Sequence, residues 1–190
     1  MLTFDLETTG PHVSSDDITC GAVYDPDAGL ARYFLFLPSA PRPDDPEEFM
    51  RLLDSADRLC AFNGARFDIP LLERCFRPAP ARVWAWRMKL HDVFEACKLA
   101  LEITFPLSAL LDLNGLPGKT GSGADAVRMA QEGDFERLGE YCLNDTRRTH
   151  QVSSLDVILL PKTRGIYMDS RGRFHGGETA LLKTGSSGCI

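Results

Sequence analysis

Three apolar runs open the chain, and their spacing predicts strands. In Met1-Leu2-Thr3-Phe4-Asp5-Leu6-Glu7, apolar residues at positions 2, 4 and 6 alternate with polar ones, the two-residue period of a strand with one face in a core. Residues 18–24 and 31–37 read as two further strands. Between them, Asp25-Pro26-Asp27-Ala28-Gly29 has the proline and glycine of a hairpin turn. The period then changes. Asp44-Asp45-Pro46-Glu47-Glu48 offers an N-cap, a first-turn proline and two acids matched to a helix dipole, and Phe49, Leu52, Leu53 and Ala56 recur at helical spacing. Residues 58–62 predict a buried strand ended by Asn63-Gly64, and Phe67, Leu71, Leu72 and Cys75 mark a helix with Pro70 in its first turn. Residues 83–93 read as a short helix and then a strand ending near Asp92. From Pro106 the pattern is helical through Leu107, Leu110 and Leu111, and it breaks at Gly115 to Gly123. It resumes at Ala126, Val127 and Ala130. A last helix, opened by Gly133-Asp134, runs through Phe135, Leu138, Tyr141, Cys142 and Asp145. Strands first, then strand and helix in alternation, then helices, predict an α/β domain: a mixed sheet flanked by helices.

Composition adds three bounds. A chain of 190 residues that is 44% hydrophobic suffices for one domain with a sizeable core, expected over residues 1–160, followed by a tail at 161–190. That tail carries five Lys/Arg against two acids, net +3, in a chain of net charge −6, so the remaining 160 residues carry −9. An acidic domain argues against coating duplex nucleic acid by bulk electrostatics, whereas a basic tail can hold a polyanion. The six cysteines are scattered without Cys-x-x-Cys or zinc-finger spacing, which predicts free thiols in a reducing compartment. With no long apolar run and an acid already at residue 5, neither a membrane span nor a signal peptide is expected, and a cytoplasmic or nuclear location follows.

The candidate chemistry starts at Asp5 and Glu7. On a strand they project from one face into one small volume, where two carboxylates repel unless a cation joins them. Two downstream segments supply partners: Asn63-Gly64-Ala65-Arg66-Phe67-Asp68, after a strand and turn, and Tyr141-Cys142-Leu143-Asn144-Asp145, whose Tyr141 and Asp145 share a helix face. All-oxygen ligands of this kind suit Mg²⁺ or Mn²⁺.

In order and type these three segments resemble the exonuclease motifs of the DEDD superfamily of 3′–5′ exonucleases. Tyr141-x-x-x-Asp145 is similar to its tyrosine subclass, since the position that would hold histidine in the other subclass is Glu140. The resemblance covers about residues 1–155. It includes the lead-in over 107–133, with Leu-x-x-Leu-Leu, Gly-Leu-Pro-Gly-Lys and Glu-Gly-Asp runs, and it is strongest to stand-alone relatives of the family-B polymerase proofreading domain. It implies a ribonuclease H-like, mixed five-stranded sheet, three antiparallel strands first and then parallel ones. It also implies two divalent cations: Asp5 bridging both, Glu7 and Asp145 completing the first, Asp68 holding the second. Tyr141 would orient the attacking water. Thr8 would contact the terminal nucleotide, and Asn63 and Phe67 would shape the path of the strand. The implied reaction is in-line hydrolysis of single-stranded DNA or RNA from the 3′ end to 5′-mononucleotides, and the implied partner class is a polymerase or repair protein.

Two other readings use the same fold. One is a nucleic-acid-binding or partner-docking module without turnover; the other is an endonuclease on RNA–DNA hybrids. Elsewhere, His91-Asp92 lacks an accompanying serine or cysteine motif. Lys119-Thr120 lacks the glycine spacing of a phosphate loop, so the glycines around it read as a flexible loop. Trp84 and Trp86, with Arg82, Arg87 and Lys89, are candidates to stack bases and hold phosphates or, alternatively, core residues.

Overall fold

Strand β1 (Leu2–Thr8) is the axis on which the other elements are hung. It pairs antiparallel with β2 (Ile18–Asp25), which pairs antiparallel with β3 (Leu30–Leu35). On its other side β1 runs parallel to β4 (Leu59–Ala61), and β4 parallel to β5 (Leu90–Asp92), giving the order β3-β2-β1-β4-β5. This is the mixed sheet that the pattern predicts, seen in a computed structural model that describes residues 1–101, 105–156, 158, 166–168 and 174–176. Seven helices accompany it among those residues: α1 (Pro46–Ser55), α2 (Asp68–Phe76), α3 (Pro80–Met88), α4 (Val93–Leu101), α5 (Leu107–Leu113), α6 (Gly123–Glu132) and α7 (Phe135–Ser153).

The alternation in β1 divides the core. Phe4 and Leu6 point to one face and join Val23, Phe34, Phe49, Leu53, Ile69, Leu72 and the fully buried Trp86, so that α1, α2 and α3 cover that side. The opposite face carries Asp5 and Glu7, which lie across from Ala22 and Cys20 of β2. Cys20 and Ala22 are small, and they pack with Leu138, Tyr141, Cys142 and the α6 residues Ala126 and Met129. Small side chains here let α7 lie close to the sheet. Gly139 takes this further: a Cβ there would stand 2.4 Å from the Tyr33 ring, far inside contact distance. A third cluster, with Val93, Phe94, Leu107, Leu110, Leu111 and Val152, seals the β5 side.

Local differences from the sequence reading have local causes. Of the two acids that could cap α1, Asp45 does so, accepting from the Glu47 N–H at 2.9 Å, while Asp44 accepts from the Leu35 N–H and pairs with Arg32. Phe67 stands just before α2, and Asp68 is its first residue. Helix α4 was not anticipated: it follows β5 with no spacer, and an apolar run joining a strand to a helix carries no break in period. Of the 161–190 tail, the described residues are Ile166–Met168 and Phe174–Gly176, an antiparallel pair β6–β7 that composition alone did not suggest.

Candidate active site

The predicted acids come together in one pocket. Asp5 and Glu7 of β1, Asp68 at the start of α2, and Tyr141 and Asp145 one turn apart on α7 all line it, as do Asn63 and Phe67. Glu7, Asp68, Asp145 and Tyr141 are buried; Asp5 keeps some solvent contact at the pocket floor. Thr8 is buried beside the pocket but outside its lining, and its hydroxyl donates to the Gly10 carbonyl. Gly64 makes the Asp68 turn feasible, since a Cβ there would meet Ala61 Cβ at 2.5 Å. The adjoining Asn63 takes a left-handed φ of 66°, a conformation that asparagine tolerates.

Four carboxylates in so small a volume oppose one another's ionisation. Burial, with Asp68, Glu7 and Asp145 nearby, pushes Asp5 well above the usual carboxylate range. Glu7 is pushed up to about 8 by burial and by Asp145, and Asp68 to about 7 by burial and by Asp92. Asp145 is raised by burial in spite of an ion pair. The Tyr141 phenol is raised strongly, by burial first and then by Asp145 and Glu7, so it stays protonated at neutral pH.

The ion pair is the part that the sequence did not reveal. Lys119, on the loop between α5 and α6, places Nζ 2.6 Å from Asp145 Oδ2 and 5.7 Å from the centre of the Tyr141 ring. Burial opposes its charge, but Asp145, Asp5 and Glu7 together hold its pKa above the ordinary lysine value. The loop is fixed from both sides. Ser122 and Asp125 form a capping box at α6, and Gly121 lies against Tyr141, where a Cβ would come within 3.2 Å of the ring. The Gly-Leu-Pro-Gly-Lys run that resembles the lead-in to the third motif was the available signal.

The unpaired atoms show what the pocket lacks. Asp68 Oδ1, Asp145 Oδ1 and the Tyr141 hydroxyl are buried without a hydrogen-bond partner, although buried polar atoms are nearly always paired. Ligand atoms of Asp5, Glu7 and Cys142 lie within 4.8 Å of one another, and the Cys142 thiol donates to the Asp5 carbonyl at 3.6 Å. Converging carboxylate oxygens with free lone pairs and a collective reluctance to ionise unaided fit a hard divalent cation such as Mg²⁺ or Mn²⁺.

Asp92 positions the turn instead of acting in a dyad with His91. Its Oδ1 accepts from the N–H groups of Asn63 at 2.9 Å, Phe94 at 3.0 Å and Glu95 at 3.1 Å, and its Oδ2 from Ala65 at 2.8 Å. One carboxylate thus ties the turn bearing Asp68 to the N-terminus of α4. Asp92→Ala leaves four N–H groups without this acceptor and is expected to destabilise the protein by about 2–4 kcal/mol. Asp92→Asn, which keeps one acceptor oxygen, is expected to lose about half as much. Denaturant unfolding of both variants measures the difference, and equal stability of Asp92→Ala and wild type would refute the role.

Comparison with known proteins agrees with this fold. A family model described as the RNase H superfamily matches residues 2–105, which contain Asp5, Glu7 and Asp68. A search of curated proteins finds no match. Among solved structures, the family B DNA polymerase from the hyperthermophilic archaeon Pyrobaculum calidifontis superposes with a TM-score of 0.58 at 15% identity, over 80% of this chain and 24% of the polymerase chain. At that identity the likeness is one of fold, and this chain spans about a quarter of the polymerase. With the matched model covering more than half of its residues, the chain belongs to the RNase H superfamily.

Proposed function

We infer that the chain is a divalent-cation-dependent 3′–5′ exonuclease of the tyrosine subclass, removing 5′-mononucleotides from single-stranded ends. One observation carries the reading. Four carboxylates and a phenol from three distant segments line one pocket, and three of their buried oxygens have no protein partner. Superfamily membership supports nuclease chemistry, and the fold likeness to part of a DNA polymerase is consistent with a strand end as substrate.

Asp5, Glu7, Asp68 and Asp145 would hold two cations, which supply activation of water and stabilisation of the departing 3′ oxygen. The chain's own groups do the rest. Tyr141, kept protonated, donates to or accepts from a water beside Asp145 and so orients it without taking its proton. Lys119 offers a positive charge at the same wall, where a phosphate's oxygens would lie. Phe67 would present an aromatic surface to the terminal base, and Asn63, in the same turn, would shape the path of the strand. Thr8, its hydroxyl committed to Gly10, acts through the backbone that it holds.

The test is degradation of a 5′-labelled single strand, as DNA and as RNA, in Mg²⁺, Mn²⁺ or EDTA. A ladder shortening from the 3′ end and abolished by EDTA is expected. A strand with a blocked 3′ end should survive; free cutting of it would identify an endonuclease. Lys119 favours the second reading, a binding module without turnover, because it already neutralises Asp145. Strand binding with no metal-stimulated degradation would establish that module instead.

A further inference from the structure

The two tryptophans of α3 have opposite fates. Trp86 is fully buried, and its indole N–H donates to Asp54 Oδ1 at 2.7 Å; Arg82 pairs with Glu47 and Asp54, and Lys89 donates to the carbonyls of Asp54 and Ala56. These groups are structural. Trp84, two residues earlier, is 64% exposed, and Met88, four residues on, is 67% exposed. At i and i+4 they share a face, with Arg87 at i+3 on its edge. Together they leave an apolar patch in water on that face of α3.

Its place and charge identify the occupant. Arg87 donates to the Ala65 carbonyl at 3.2 Å, so the stripe adjoins the turn whose Asn63 and Phe67 line the catalytic pocket. Residues 63–89 hold six Lys/Arg against two acids, net +4 in a chain of net −6. Arg66 is 60% and Arg87 42% exposed. Arg87 pairs with Glu73 at 3.8 Å, a surface pair that contributes little and leaves the guanidinium open to a phosphate, whereas Arg66 is held more closely by the partly buried Glu95. An exposed indole beside an exposed guanidinium, which reaches by one hydrogen bond to the turn that flanks the pocket, suits a single strand, whose bases stack on aromatic rings while its backbone follows cations. A purely apolar protein partner would gain nothing from the arginines.

We propose that the exposed face of α3, Trp84 with Met88 and Arg87, is a stacking platform for bases of the single strand that lie 5′ of the end held in the pocket. The direction of the strand rests on the exonuclease reading; binding at the platform does not. Two measurements on the full-length protein separate them. In EDTA, oligothymidylate 12-mers as DNA and oligouridylate 12-mers as RNA should quench tryptophan fluorescence in the wild type. In Trp84→Ala the binding, followed by anisotropy of a labelled strand, should weaken by about 5- to 100-fold. Trp84→Phe, which keeps an aromatic face, should recover most of it. In Mg²⁺, Trp84→Ala should raise KM for the 12-mer by a similar factor, with kcat within twofold, and should leave a trimer unaffected, because the proposal confines three terminal nucleotides to the pocket.

A wild type that binds and quenches but degrades nothing supports the platform and removes the exonuclease reading alone. Binding unchanged by Trp84→Ala overturns the platform whatever the activity, and leaves the stripe as a protein-docking face. An equal loss for trimer and 12-mer also overturns it, since that places Trp84 in the terminal pocket or in the fold.

Discussion

Asp5→Ala is expected to lower the rate of 3′-end removal by about 10³-fold or more and, at the same time, to make the metal-free protein more stable. Both effects follow from the position of Asp5 on β1, facing Glu7, Asp68 and Asp145 across one pocket. The proposed chemistry needs all four carboxylates. Losing the central one removes several kcal/mol of transition-state stabilisation, and about 4 kcal/mol corresponds to about 10³ in rate. Without metal the same carboxylate opposes folding, because burial and three like charges lift its pKa far above the usual range. Its removal relieves that repulsion, and each kcal/mol of relief raises the melting temperature of a domain of this size by about 2–4 °C. Asp5→Asn, which preserves shape, should behave alike. The measurement pairs the oligonucleotide ladder with thermal unfolding in EDTA. Undiminished cleavage would sink the catalytic assignment; lost cleavage with a lower melting temperature would show that the fold, not the chemistry, had failed.

This opposition between stability and proposed function explains why so much of the site was legible in the sequence. A domain gains nothing from placing Asp5 and Glu7 on the inner face of a central strand, and Phe4 and Leu6 between them fix which face that is. Tyr141 and Asp145 were readable for the same reason: a four-residue spacing on α7 needs no tertiary knowledge to bring two side chains to one wall. Lys119 was different. Its arrival at Asp145 depends on the path of a loop pinned by the Ser122 capping box and by the close approach of Gly121 to Tyr141, contacts that no local pattern encodes. Asp92 was hidden too. The sequence argues against a dyad with His91 but offers Asp92 no other role, because its four partners are backbone N–H groups that no sequence pattern marks. The tryptophans of α3 showed a third limit. Two positions apart on a helix they cannot share a face, yet only packing decides that Trp86 goes inward and Trp84 outward.

The stability of the metal-free protein should fall as pH rises from about 5 to 9, and a divalent cation should abolish most of that fall. Glu7 is raised from 4.5 to about 8, and Asp68 from 3.8 to about 7. A carboxyl whose pKa is higher in the folded state binds its proton more tightly there. Its contribution is therefore complete below the unfolded value, near 4, and is lost as pH climbs through 7 and 8. Each proton retained only by the folded state makes stability decline by about 1.4 kcal/mol per pH unit within that window. Together the pair should account for at most about 7 kcal/mol between pH 5 and pH 9. Lys119 stays charged throughout and moderates the decline without reversing it. Mg²⁺ or Mn²⁺ at millimolar concentration binds the ionised carboxylates of the folded state, so its stabilisation grows over the range where the metal-free protein weakens. Thermal unfolding at pH 5.5, 7 and 8.5, in EDTA and in each metal, measures both slopes. Glu7→Gln and Asp68→Asn should each flatten the EDTA profile by about one proton. A flat EDTA profile to pH 9 would mean that the carboxylates ionise freely, and the electrostatic case for a cation in this pocket would fall with it.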